Sequence, residues 1–153
     1  MLELYTPAIE ELWFKAQMMG DKQTMSYNHA SGGTIPFPET RWPVWHNRWI
    51  INHENKRFYR YIKVNHEFIG EVAYHLDEER QIYLANVIIH APHRKKGYGH
   101  KALTLLCDAA KENGLHELYD DIAIDNPSVA MFLKHGFCEV SRTGESILVK
   151  KEL

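Results

Sequence analysis

The sequence predicts a mixed α/β (α+β) domain: a mainly antiparallel central sheet, flanking helices, and one strand-helix-strand crossover at its centre. Three observations predict it. Segments 58–64, 68–76 and 82–89 are short, alternating or continuously apolar, and separated only by polar turns. Segment 99–113 then carries apolar residues at helical spacing. A further strand, a short helix and two closing strands account for residues 117–150.

Taken in order, Thr6-Pro7 reads as a cap followed by proline at the first helical position, and Ile9, Leu12, Trp13 and Ala16 recur at helical spacing, which predicts a helix over 7–19. Residues 20–40 read as a loop, marked by Gly32-Gly33 and Pro36-Phe37-Pro38. Trp42, Trp45 and Trp49 share one face of a second helix. Two roles stay open for that face: packing into the core, or an aromatic wall around a substrate. Strands follow at 58–64, 68–76 and 82–89, the third apolar enough for mid-sheet. In the helix 99–113, Ala102, Leu103, Leu106, Ala109 and Ala110 form the buried stripe, and Asn113-Gly114 ends it. A strand is expected at 117–124. Asn126 caps a short helix with Pro127 at its first position, and Gly136 stops it. Strands at 137–142 and 146–150 close the chain around Thr143-Gly144.

Composition narrows the function classes. A chain of 153 residues fits one domain with one sizeable core. The formal net charge of -2 argues against nucleic acid as a partner. Cys107 and Cys138 have no paired spacing, so both read as reduced, packed thiols. The N-terminal region carries Glu3, Glu10 and Glu11 and no long apolar run, so neither a signal peptide nor a membrane span is expected, and the cytoplasm is the expected compartment. None of the ten histidines pairs at i, i+4 around a carboxylate, so no metal is expected.

Chemistry concentrates in Arg94-Lys95-Lys96-Gly97-Tyr98-Gly99. Two glycines one residue apart let the backbone turn tightly and bring its amides to a ligand. The helix that starts there adds unpaired amides, including that of His100, and a partial positive charge. Arg94, Lys95 and Lys96 add mobile positive charge at the rim. On these grounds the segment is a cradle for a phosphorylated cofactor. Gly97-Tyr98-Gly99-His100-Lys101-Ala102 also satisfies the dinucleotide fingerprint, with Asp120 and Asp121 about 20 residues on. That fingerprint opens directly after its strand, however, whereas here His90 to Lys96 intervene. No Gly-Lys-Ser/Thr occurs, so the Walker motif fails.

These residues resemble the GNAT superfamily of acetyltransferases. Its central motif, Arg/Gln-x-x-Gly-x-Gly/Ala, is matched by Arg94, Gly97 and Gly99, and its second motif by the run from Asn126 to Gly136-Phe137. The resemblance covers about residues 58–150 and implies a single domain over 1–153: a cofactor-binding core at 58–150 and a helical, acceptor-side region at 1–56. It implies a GNAT-like sheet whose central strands, 82–89 and 117–124, splay apart to admit acetyl-CoA as co-substrate, with no metal. Backbone around Val87, Ile88 and Ile89 would hold the pantetheine; the amides of Lys95, Lys96, Gly97, Tyr98, Gly99 and His100 would hold the pyrophosphate, with Arg94, Asn126 and Phe132 alongside. A primary amine of a small molecule or peptide would attack the thioester directly, and a backbone N–H of strand 82–89 would stabilise the oxyanion. Homodimers are common in the family.

Two departures from the family pattern bear on catalysis. The tyrosine that protonates the departing thiolate in many members is Phe132 here, although a thiol of pKa about 8.5 is a fair leaving group. Tyr119 or Tyr83 could take that role. Strand 82–89 has no carboxylate, which leaves Glu71 as the candidate base, acting through water, with Asp121 and then His90 in reserve. A non-catalytic acyl-CoA-binding module and a nucleotide-dependent oxidoreductase stay open as alternatives.

Overall fold

The structure is a computed structural model and describes residues 1–29 and 32–153. Seven strands form one sheet in the order β1-β2-β3-β4-β5-β7-β6. They are β1 Leu2–Tyr5, β2 Arg57–Val64, β3 Glu67–Asp77, β4 Ile82–Ile89, β5 Glu117–Ala123, β6 Cys138–Arg142 and β7 Ser146–Glu152. The helices are α1 Trp13–Met19, α2 Trp42–His46, α3 Tyr98–Glu112 and α4 Ser128–Lys134. Every neighbouring pair of strands is antiparallel except β4 and β5, which are parallel and joined through α3. The mixed, mainly antiparallel architecture expected from the sequence is thus the one observed.

The sheet buries both faces. On one, α3 and α4 lie over Val72, Tyr74, Ala85, Leu118, Ile122 and Val149. On the other, α1 and α2 lie over Tyr59, Tyr61 and Ala73. The alternation of β3 sends Val72 and Tyr74 to the first face and Glu71 and Ala73 to the second. The tyrosines also pin the helical layer: the Tyr61 hydroxyl donates to the Glu11 carbonyl at 2.8 Å and accepts from the Lys15 amide at 3.2 Å.

Four expectations are corrected. Residues 2–5 form an edge strand that was not anticipated, because a four-residue alternation is stable only through its pairing with β2, Leu2 to Val64 and Tyr5 to Tyr61. The first helix starts later than Pro7: a 3-10 turn at Ile9–Glu11 precedes Trp13, and Glu11, not Thr6, satisfies the entry by accepting from the Ala8 amide at 2.9 Å. The tryptophan helix changes pitch after His46 into a π-helical turn, Asn47–Ile51, closed by Asn52 N–H to Asn47 O at 2.7 Å. Lastly, Cys138 is exposed, because β6 is the outer edge strand and all its residues face solvent.

Cys107 is packed as expected, and burial pushes its thiol up to about 11. An aromatic disulfide reagent at pH 8 will therefore titrate one thiol rapidly in the native protein, and a second only on unfolding. The Cys138→Ser variant will show no rapid phase. A rapid phase that persists would place Cys107 at the surface.

Candidate active site

The centre of the site is the opening between β4 and β5. Their parallel pairing is confined to Leu84 opposite Tyr119. Beyond it, as far as Ile89, the β5-facing backbone of β4 pairs with no strand among the described residues. The splay expected of the central pair is present: the ladder with β3 turns the backbone of Ile88 toward Glu71, and Arg94 takes the Ile89 carbonyl, so the N–H and C=O of Val87 and the N–H of Ile89 line the cleft.

At the end of β4 the chain makes a 3-10 turn, Ala91–His93, and enters the glycine segment. Lys95 and Gly97 both adopt left-handed backbone, φ 65° and 80°, and Gly97 is the N-cap of α3. The first bond of that helix runs from the Lys101 amide to the Gly97 carbonyl at 3.5 Å, so the amides of Tyr98, Gly99 and His100 precede it and remain free for an anion. A Cβ on Gly97 would meet no protein atom within 4 Å, so the space above it is open to a ligand. Gly99 has a different reason. A Cβ there would lie 2.9 Å from the Met131 sulfur, so Gly99 lets α4 close against α3.

Lys95 and Lys96 are exposed at the rim. Arg94 is not the mobile rim charge expected. Its guanidinium donates to the carbonyls of Ile89 at 3.2 Å, Gln23 at 3.1 Å and Thr24 at 2.7 Å. A guanidinium holds several carbonyls in a fixed fork, and here it fastens loop 21–25 to the end of β4. The Thr24 hydroxyl also accepts from the Ala91 amide at 3.0 Å and donates to Asp21. His90 lies at this junction, 4.0 Å from Asp21, and burial lowers its pKa.

On the opposite face of the sheet, Glu71 is 2% exposed. Its Oε1 accepts from the Tyr59 hydroxyl at 2.6 Å and from Lys15 Nζ at 3.1 Å, and its Oε2 from Asn86 Nδ2 at 3.0 Å. Burial and the adjacent carboxylate hold the Tyr59 phenol far above its ordinary pKa, so it is a donor at any working pH. Lys15 Nζ also lies over the rings of Tyr59, Trp45 and Phe37, at 4.8, 5.1 and 5.8 Å from their centroids.

The other sequence candidates stand apart from this cluster. Tyr119 lies opposite Leu84, at the closed end of the splay, and its hydroxyl donates to Glu117 at 3.2 Å. Asp121 is ion-paired with Arg80 at 3.5 Å. Tyr83 donates to the Asn55 carbonyl at 3.0 Å. Phe132 is 1% exposed and packs edge-on against Phe137 at 4.9 Å, in the core rather than on the cleft. Asn126 is structural: its Oδ1 accepts from the Ser128 amide at 2.9 Å and starts α4. A phenol at position 132 would enter that core without an evident partner. Phe132→Tyr will therefore lose about 1–3 kcal/mol of stability and gain no turnover. A rise in kcat would instead place the ring's edge on the reacting sulfur.

Sequence reasoning missed Asn86, Lys15 and Tyr59. Asn86 had a visible signal, since it is the one amide side chain in Ile82–Ile89. Lys15 and Tyr59 had none, because only the packing of α1 on the sheet brings them to Glu71. Asp120, named above only in the dinucleotide fingerprint that was set aside, has a different environment. It faces the α3–α4 layer between Leu118 and Ile122, and burial pushes its carboxyl well above the usual range. With a raised folded-state pKa, its stability contribution is complete at about pH 4 and below, where both states hold the proton. It is lost as pH rises, because the unfolded chain releases its proton first. Asp120→Asn will therefore melt higher than the unaltered protein at pH 8, with the difference closing toward pH 4. Equal melting temperatures across that range would contradict this burial.

An α/β sheet with a splayed parallel pair, an amide cradle at a helix start and a buried carboxylate on the far face defines a cofactor-dependent transferase fold. The chain belongs to the acetyltransferase (GNAT) family, whose model matches residues 21–137. Among solved structures it is similar to a spermidine N-acetyltransferase from Vibrio cholerae in complex with CoA and spermine: 19% identity, 99% of this chain, 95% of that one, TM-score 0.82. It is similar also to a putative acetyltransferase from Salmonella typhimurium with its cofactor acetyl-CoA, at 15% identity, 99% and 93% coverage and TM-score 0.79. A third is the ribosomal-protein-alanine N-acetyltransferase from Brucella melitensis, at 16% identity, 100% and 99% coverage and TM-score 0.75. At these identities the likeness establishes the fold. Comparison with curated proteins gives no match. Among the described residues no helix is long and apolar enough to cross a membrane, and no three potential metal ligands cluster.

Proposed function

We propose that this protein transfers an acetyl group from acetyl-CoA to a primary amine of a small molecule or peptide by direct attack. The observation that carries the reading is the unpaired β4 edge running into the Gly97 cradle, with Glu71 and Asn86 on the opposite face at the same level of the sheet. Pyrophosphate rests on the amides of residues 95–100, and pantetheine pairs with the backbone of Val87 and Ile89. The thioester carbonyl then points at a β4 amide, which stabilises the tetrahedral oxyanion.

Asn86 lies between the two halves. Its Nδ2 is committed to Glu71, which fixes the rotamer and turns Oδ1 toward the acceptor amine. The amine nitrogen attacks the thioester carbon, and the C–S bond breaks as the carbonyl re-forms. The amine proton leaves through water to Glu71, whose Oε2 accepts one protein hydrogen bond and keeps a lone pair. The thiolate needs no dedicated acid, since its conjugate acid has a pKa of about 8.5. Tyr119 and Asp121, held by Glu117 and Arg80, are outside this scheme.

The test is turnover of acetyl-CoA over a broad amine panel, read as free thiol and as the mass of the N-acetyl product. Acetylated product with at least one amine is expected. Tight acetyl-CoA binding with no acetylated product from any amine would leave a non-catalytic acyl-CoA-binding module.

A further inference from the structure

Two features of the acceptor side bear on which amines the site takes. The first is Lys15. A buried carboxylate ringed by Phe37, Trp45 and Tyr59 is what would recognise an alkylammonium group. Here the chain's own ammonium fills it: Lys15 is 3.1 Å from Glu71, and its side chain is only 12% exposed. A polycation entering beside it would meet like charge.

The second is a groove that continues from Trp45. Trp45 and Trp49 stack at 6.0 Å and 17°, and His75 lies 6.2 Å beyond Trp49, so an aromatic rail leads outward from the Lys15–Glu71 pair. The depression over it has a volume of about 1290 Å³. Its walls carry four cations, Arg41, Arg48, Lys56 and Arg57, against two carboxylates, Glu54 and Glu78, a surplus of two positive charges. The whole chain has a net charge of -2, so this surplus is local. Lys56 and Arg57 are paired with the two carboxylates at 3.0 and 3.2 Å. Arg41 gives one N–H to the Pro36 carbonyl at 3.3 Å and keeps the rest of its fork; the Arg48 guanidinium bonds to nothing among the described residues.

Resting on the acetyl-transfer reading above, we propose that the acceptor is an amine that also carries an anionic group, carboxylate or phosphate, on the far side of a flat or extended spacer. The spacer lies along Trp45 and Trp49, and the anion meets Arg41 and Arg48, whose forks match both anions. The amine end lies at Asn86, where Lys15 repels competing polycations.

A matched series tests this: 4-(2-aminoethyl)benzoate, O-phosphotyramine, tyramine and spermidine, each measured for kcat/KM with acetyl-CoA and for quenching of tryptophan fluorescence. Tyramine has the same amine and ring without the charge, and the first two arms separate carboxylate from phosphate. At least one anionic arm is expected to exceed tyramine by about tenfold or more, with spermidine poorest. The Arg41→Gln/Arg48→Gln variant should raise KM for that arm about tenfold and erase its advantage over tyramine. Tyramine or spermidine turned over as well as the anionic arms would overturn the subsite and leave acetyl transfer standing. The absence of Arg-dependent quenching by either anionic arm would also overturn it. Arg-dependent quenching with no acetylation of any amine would uphold the subsite and reject the transfer reading.

Discussion

Glu71→Gln is expected to abolish most acetyl transfer and to lower stability by about 3 kcal/mol, a fall in melting temperature on the order of 10 °C for a chain of this size. The cause is electrostatic. Lys15 and Glu71 have side chains 12% and 3% exposed, so neutralising the carboxylate leaves an ammonium without its counter-charge in a poorly solvated cage. Asn86 Nδ2 and the Tyr59 hydroxyl would each face a poorer acceptor. Stability alone would not separate a scaffold from a proton acceptor, so the second variant matters. Lys15→Met/Glu71→Gln removes both charges and keeps an amide that can bond the Tyr59 hydroxyl and a flipped Asn86 amide. It should regain most of the lost stability, because the penalty lies in the uncompensated charge. It should not regain turnover. Restored stability together with restored kcat would reduce Glu71 to a scaffold and hand the proton directly to solvent.

Gly97→Val is the second large effect. At φ 80° a β-branched residue is strained by about 1–2 kcal/mol, and its side chain projects into the open space over the first turn of α3. CoA affinity is expected to fall more than tenfold, read by calorimetric titration. Gly97→Asn separates the two causes, because asparagine tolerates left-handed backbone. It should keep the stability of the unaltered chain and still bind CoA weakly. Asparagine with full affinity would mean that strain, not obstruction, explains the valine result, and that the pyrophosphate lies elsewhere.

Much of this architecture was legible residue by residue. Apolar runs bounded by turn residues located β2 to β5, and the stripe from Ala102 to Ala110 located α3, because these segments bury one face against a sheet whatever their neighbours do. β1 was illegible, since Leu2–Tyr5 is a strand only through its pairing with β2. The π turn after His46 was equally hidden, because the i, i+3, i+7 tryptophans fit an unbroken helix as well as the observed one.

The site divided along the same line. Gly97 was readable, since its role is local backbone geometry at a helix start. Glu71 was named from the sequence as a carboxylate on the strand beside Ile82–Ile89, and the structure pairs it there with Ile88. Its partners Lys15, Tyr59 and Asn86 come from three elements, and nothing in their spacing announces a meeting. Arg94 was assigned to the ligand and instead joins three carbonyls, which depends on the fold of loop 21–25. Tyr119 and Asp121 are polar residues at the right strand whose side chains turn to Glu117 and Arg80.

On the proposed reading, the amides of residues 95–100 cradle the pyrophosphate of acetyl-CoA rather than that of a dinucleotide. Calorimetric titration of the unaltered protein with acetyl-CoA and, separately, with NADPH tests it most directly. One-to-one binding of acetyl-CoA, lost in Gly97→Val, with no heat from NADPH is the predicted result; binding of NADPH with none of acetyl-CoA would contradict it.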